Sequence, residues 1–396
     1  MKKLLSFTLA LFIIGLCSTT FAQIDSTMGS MVKALEQEIY PRSVKLTIVN
    51  DSTIVAFAQS PENTMVSKKL YLIQRNSPYI KIATIDSMYI VDVKSYGNMI
   101  FFCGSIPDSS VIYGKLGCLA KTTIHNLFNA GVYQLIPIFN TSIINRMEPY
   151  VDDIGAISVA CYGDRYLIKC NMNSYDYYYA SLPVHDNCTE FYSDLIIYKN
   201  YIALLSTYTL TNNSSFFGCF LRLFDKTTLN RIPSIPNKIQ INNSDNHHPY
   251  TPLLAKSEIN NDIYIATVPL LTTEDTIASI IDINRINITS NGLQNCTRYR
   301  LTLDSIYFNI LWNVKSNNKG SKSGLYLLTT QSDRNSRVLY FDLTDTINKP
   351  VNIFEYFGHY DFYTSLDVYN NSRNFICVGG NYNTNGDYNF SSWEKI

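Results

Sequence analysis

A strand–turn–strand unit recurs along nearly the whole chain, and few folds accommodate that repetition. Lys45-Leu-Thr-Ile-Val49 turns at Asn50-Asp51 into Thr53-Ile-Val-Ala-Phe57. Tyr89-Ile-Val-Asp-Val93 turns at Gly97-Asn98 into Met99-Ile-Phe-Phe-Cys103. Ala156 to Ala160 turns at Gly163-Asp164 into Tyr166 to Cys170, and Leu195 to Tyr198 turns at Asn200 into Tyr201 to Leu205. The same step stands at Asn260-Asn261-Asp262, at Asn317-Asn318 and at Asn370-Asn371. Each unit continues through a polar loop to a third strand and often a fourth. Asn, Asp and Gly tolerate the backbone of tight hairpin turns, while β-branched and aromatic runs suit half-buried sheet faces. The turns lie about 50 residues apart, the length of one propeller blade with its loops. Helical periodicity is confined to Met31–Ile39, which Pro41 ends. The pattern predicts an all-β chain, a seven-bladed β-propeller, with tandem β-sandwich domains as the alternative. A second echo supports repetition: Ala120-Lys-Thr-Thr-Ile124 matches Asp225-Lys-Thr-Thr-Leu229. The last unit ends at its third strand, so residues just after the leader are the expected donors of a closing strand, which would remove an exposed edge.

The N-terminus reads as an export signal. Lys2 and Lys3 precede an apolar run from Leu4 to Leu16, and Thr20-Phe21-Ala22 offers the small residues that signal peptidase reads. The expected organisation is a signal peptide at 1–22, a polar leader at 23–44 and one propeller domain at 45–396. Cys17 as a lipidated residue is the rival reading, opposed by Leu16 where a small residue is expected. The apolar run is shorter than the roughly 20 residues that span a bilayer, and no later segment is long and apolar enough.

Charge narrows the classes further. The chain is formally neutral with 16% charged residues, and it lacks a basic stripe to neutralise phosphates, so nucleic-acid binding is not expected. Removal of the signal takes one of nine cysteines with it. The even remainder permits disulfides in an exported protein, with the connectivity open. Cys103 and Cys118 are expected on consecutive strands, as are Cys161 and Cys170. No CxxC pair supports a zinc or thioredoxin-like site.

The cleavage site before Gln23, the Asn- and Tyr-rich composition and the degenerate repeats resemble exported β-propeller proteins of Bacteroidetes. The resemblance is one of architecture: WD dipeptides and Asp-box repeats are missing, and a kelch-like Gly379-Gly380 with Trp393 downstream occurs once. It implies O-glycosylation at Asp-Ser/Thr triplets. Six fit, beginning at Asp25, Asp51, Asp86, Asp275, Asp304 and Asp345, although Asp-Ser and Asp-Thr are also ordinary turn residues.

Candidate binding residues come from two clusters. His247, His248 and Tyr250 lie in an inter-blade loop, the histidines being the only adjacent pair. Tyr175-Asp-Tyr-Tyr-Tyr179 is the densest aromatic run; in a strand Tyr175, Tyr177 and Tyr179 share a face, which suits stacking on a sugar ring or simply packing. Asn381 to Asp387 has the oxygen spacing of a calcium loop but little negative charge, and an Asn-Gly hairpin turn explains it equally. The adjacent acids Asp152-Asp153 and Glu274-Asp275 fall in loops, where solvated charge is the ordinary role. No catalytic set, metal site or cofactor motif emerges. The expected function is a secreted, periplasmic or cell-surface propeller that binds a protein or glycan through inter-blade loops. The alternative is a carbohydrate-active enzyme whose acids converge on the propeller funnel.

Overall fold

A computed structural model describes residues 43–395 except 51, 60–67, 75–76, 78, 112–113, 184–187, 211–212, 233–251, 258–261, 268–279, 290–291, 303–308, 318–323, 332–335, 344–350, 357–362, 370–373 and 383–387. The expected signal, the short helix and the leader as far as residue 42 therefore lie outside the described residues, while the last two residues of the expected leader, Ser43 and Val44, already belong to a strand. Among those described, no helix is long and apolar enough to cross a membrane.

Among the described residues, the strands pair only with their sequence neighbours, in seven antiparallel sheets. The first holds β1 (Ser43–Asn50), β2 (Thr53–Gln59), β3 (Lys68–Gln74) and β4 (Lys81–Ile85). The second holds β5 (Tyr89–Tyr96), β6 (Met99–Pro107), β7 (Lys115–Thr123) and β8 (Gln134–Ile138). The third holds β9 (Arg146–Val151), β10 (Ile157–Gly163), β11 (Tyr166–Asn171) and β12 (Tyr177–Ser181). The fourth has β13 (Cys188–Tyr198), β14 (Tyr201–Leu210) and β15 (Asn213–Asp225). The fifth has β16 (Leu253–Ser257), β17 (Asp262–Thr267), β18 (Ile280–Thr289) and β19 (Gly292–Thr302). The sixth has β20 (Asn309–Asn317), β21 (Gly324–Gln331), β22 (Ser336–Asp342) and β23 (Val351–Tyr356). The last has β24 (Tyr363–Tyr369), β25 (Asn374–Tyr382) and β26 (Tyr388–Lys395).

The first strand of every sheet touches the first strand of the next, and β24 returns to β1. This closed ring of radially arranged sheets is an all-β propeller. Its core is divided between sheets. Phe57, Leu72, Ile90 and Phe102 fill the space between the first two, and Phe101, Leu119, Val159 and Ile168 the space between the second and third. Both faces of the second strands are therefore buried, which is why Met99 to Cys103 reads as a continuous apolar run. Each such side chain contributes about 2–3 kcal/mol.

Six of the seven recognised turns join the first strand of a sheet to the second. Gly163-Asp164 instead joins β10 to β11, so Ala156 to Ala160 belongs to a second strand. The first strand there is β9, which carries Arg146, Glu148 and Pro149 and so escapes a search for apolar runs. Proline is tolerated because β9 pairs on one side only. The expected strand donation is also corrected. Ser43–Asn50 is the innermost strand of its own sheet rather than the outer strand of the last, and it closes the ring by packing against β24.

The repeated Lys-Thr-Thr ends the third strand of the second sheet and forms the turn directly after the third strand of the fourth. In the second, the Thr123 side chain accepts from Asn126 N–H and caps a short helix, α1 (Ile124–Ala130), which Gly131 ends at φ 63°. In the fourth, Asp225 Oδ1 accepts from the N–H groups of Thr227 and Thr228.

Cys103, Cys118, Cys161, Cys170 and Cys219 are free, buried thiols. Cys103 pairs across the ladder with Leu119 and Cys118 with Gly104, so the two point to opposite faces. Cys161 and Cys170 share a face, one diagonal apart, a Cβ separation near 7 Å against the roughly 4 Å that a disulfide needs. Burial pushes the Cys118 thiol up to about 11 and that of Cys170 to about 12.

Candidate functional site: the central channel

The ring of first strands encloses a cavity of about 130 Å³ lined by residues from all seven sheets. A strand that faces a water-filled axis can carry a charge where its other face is core. Accordingly Lys45 (β1), Asp92 and Lys94 (β5), Arg146 and Glu148 (β9), Asp194 (β13), Lys256 (β16), Lys315 (β20) and Asp367 (β24) all line it.

Its carboxylates are already engaged. Asp194 sits at a β-bulge and accepts from Leu195 N–H at 3.0 Å and, across the sheet boundary, from Leu254 N–H at 2.9 Å. Asp367 accepts from Val368 N–H at 3.1 Å and from Ile48 N–H at 2.9 Å, and its Oδ1 lies 3.6 Å from the Lys315 ammonium. Asp92 accepts from Val93 N–H at 3.1 Å, with Arg146 at 3.9 Å, while its buried Oδ2 has no hydrogen-bond partner. Glu148 is held by Lys94 at 3.5 Å. Burial works against the charge on Lys94, but Glu148, Asp92 and Asp367 outweigh it and hold the pKa raised.

The cations are not all balanced. Lys256 donates to Ile197 C=O at 3.1 Å. Among the described residues, Lys45 has no carboxylate within 4 Å and no hydrogen-bond acceptor. Among the same residues, the Arg146 guanidinium has one carboxylate within 4 Å, Asp92 at 3.9 Å; burial works against its charge, but Asp92 and Asp194 outweigh it and hold its pKa raised. Burial first, and then the neighbouring charge of Arg146, push the Lys45 ammonium down to about 8 from its ordinary 10.5.

None of these residues was singled out from sequence as functional. The available signal was a charge breaking an otherwise apolar strand, as at Asp92, Asp194, Lys256, Lys315 and Asp367. Adjacent acids were the wrong pattern to seek. Asp152 caps its own loop through Ile154 N–H, Ala156 N–H and the Ser158 hydroxyl. Asp153 pairs with Lys226 at 3.0 Å and accepts from the Thr227 hydroxyl.

The sequence-derived candidates lie elsewhere. His247, His248 and Tyr250 fall outside the described residues, as do Glu274-Asp275 and most of the Asn381 to Asp387 loop. Tyr177 and Tyr179 do share a face of β12, the outer strand of the third sheet. Tyr177 packs half-buried against the core, its hydroxyl accepting from Phe139 N–H at 3.2 Å. Tyr179, 52% exposed, sets its ring edge-on to Tyr166 at 5.4 Å. Tyr178 projects from the other face, 65% exposed. Tyr175 is not part of the strand: at φ 65° it closes the preceding turn, its hydroxyl bonding Gln134 Oε1 at 2.7 Å with the Lys121 ammonium over its ring. The tyrosines are thus remote from the channel, on the rim of the ring. Of the Asp-Ser/Thr triplets, Asp86-Ser87-Met88 is fully described; Ser87 is exposed and its hydroxyl lies 2.6 Å from that of Tyr133. Among the described residues no cluster of His, Cys, Asp or Glu could hold a metal ion.

No family model and no curated protein sequence matches the chain. Solved structures do. An α-L-arabinanase of Penicillium chrysogenum, complexed with arabinobiose, is 10% identical at a TM-score of 0.50, covering 90% of this chain and 94% of that one. A putative 6-phosphogluconolactonase from Bacteroides fragilis is 7% identical at a TM-score of 0.50, covering 86% and 94%. The Dos1 propeller is 12% identical at 0.48, covering 90% and 94%. At these identities the likeness is one of fold alone.

Proposed function

We propose that this chain is an exported, non-enzymatic binding propeller of seven blades, one per sheet, which engages a protein or glycan partner in the periplasm or at the cell surface. The observation that carries this reading is the state of the channel acids. Glycoside hydrolysis by the usual route needs two carboxyl groups free to face each other across a substrate, one of them able to donate a proton. Here Asp194 and Asp367 are spent on backbone N–H groups of the next sheet, Asp92 is buried against its own strand and Arg146, and Glu148 is ion-paired. They hold the ring together. The exposed aromatic rim around Tyr178, Tyr179 and Phe139 offers contact surface of the kind protein and glycan partners use.

A second reading, a carbohydrate-active enzyme, draws on the convergence of four carboxylates from four strands on one axis. Glu148 is the acid least committed to the backbone and would be its first candidate. The purified protein, incubated with arrayed oligosaccharides and with envelope extract, separates the two. Retention of a glycan or protein without any released product is the expected result. Product release that disappears in Glu148→Gln would replace the binding reading with the enzymatic one.

A further inference from the structure

Two cations of the channel lining are weakly partnered: Lys45 has no carboxylate within 4 Å among the described residues, and Arg146 has the 3.9 Å pair with Asp92. Among the charges acting on Lys45, the like charge of Arg146 is the strongest, so the two groups repel each other inside a partly desolvated space. Neither makes a hydrogen bond to the described protein, although between them they carry an ammonium and a guanidinium rich in donors. The other cations of the lining have nearer partners: Glu148 at 3.5 Å from Lys94, Asp367 at 3.6 Å from Lys315 and Ile197 C=O at 3.1 Å from Lys256. The lining holds five cationic side chains against four carboxylates, a formal excess of one positive charge. One small anion would bring this lining to neutrality, and Lys45 and Arg146 both face the cavity with donors that no described acceptor occupies.

We propose that the channel binds a small oxyanion between Lys45 and Arg146, a carboxylate or a sulfate- or phosphate-type group. The inference goes beyond the partner-binding reading and stands or falls separately from it. The cavity of about 130 Å³ has room for one oxyanion headgroup. A planar carboxylate or a tetrahedral oxyanion accepts from a guanidinium in two bonds, while the flexible lysine supplies a point charge. An acidic end of a larger partner would present the same chemistry as a free anion, with the remainder of the partner outside the channel.

Isothermal titration of the purified protein with sodium acetate, sulfate, phosphate and glucuronate, against glucose as the uncharged control, tests the proposal. One anion is expected to bind with one-to-one stoichiometry and glucose not at all. Acetate or glucuronate binding marks the carboxylate class, and sulfate or phosphate binding the tetrahedral one. Lys45→Met should weaken the anion about tenfold or more, as loss of a charged hydrogen bond does. Lys45→Arg, which keeps the charge, should restore most of it, with circular dichroism confirming that both variants fold. No anion binding to the wild type through the millimolar range, or equal binding to wild type and Lys45→Met, overturns the site. Either failure leaves the partner-binding reading standing if glycan or envelope retention persists. Product release from a glycan with anion binding intact would instead remove that reading and keep the site.

Discussion

An ammonium enclosed beside a guanidinium can lower its energy by losing its proton or by acquiring a counter-ion. Lys45 therefore makes stability depend on pH in a definite direction. In the folded chain it deprotonates near 8, in the unfolded chain near 10.5, so between these values the unfolded state holds more protons and stability rises with pH. The full effect is on the order of 3 kcal/mol as an upper bound, since Lys45 is only partly buried and solvent screens part of it. The groups facing Lys45 are Asp92, Lys94, Arg146, Glu148, Asp194, Lys256, Lys315 and Asp367. Lys94, with its pKa raised by its carboxylate partners, keeps its stabilising contribution through the same window. Denaturant unfolding from pH 7.5 to 10 should show the wild type gaining stability relative to Lys45→Met, which should itself be the more stable protein at pH 7.5. Parallel curves would mean that Lys45 titrates normally. At this scale the sequence was partly legible. The spacing of Tyr177 and Tyr179 correctly put them on one face, whereas Tyr175 left the pattern because a turn residue at positive φ breaks the alternation.

Single strands are held in register by cross-strand pairs, and the fourth sheet contains a buried one. Glu190 on β13 accepts two bonds from Arg222 on β15, both at 2.6 Å, with the Ser206 hydroxyl of β14 between them. Their side chains are 5% and 2% exposed. Arg222→Met should cost about 3–5 kcal/mol because it strands a buried carboxylate, while the double variant Glu190→Leu with Arg222→Met should recover most of that loss. Chemical denaturation of the three proteins measures the coupling; a double variant no better than the single one would contradict it. Strands of this kind were legible where apolar runs met Asn or Gly turns. β9 was not, because its charges serve the channel and its proline needs no partner on that side. Missing it shifted the third unit by one strand.

The molecule as a whole is a closed ring, and closure depends on contacts between its two ends. Leu46 N–H donates to the Ser365 hydroxyl at 3.3 Å and Ile48 N–H to Asp367 at 2.9 Å, joining the first sheet to the last. Asp367→Ala should lower stability by about 2–3 kcal/mol and leave both Ile48 N–H and Lys315 unpartnered. Hydrogen exchange should then quicken at Ile48 and neighbouring amides of β1, while Leu254, held by Asp194, stays protected. Unchanged exchange at Ile48 would show that packing alone closes the ring. The repeat of strands and turns was determined by the sequence alone, because hairpins are local and their side-chain period and turn residues lie within a few positions of one another. The channel was decided only by the tertiary structure. Its charged residues run from Lys45 to Asp367 across seven sheets, and nothing short of ring closure brings groups so far apart along the chain within reach of a common ligand.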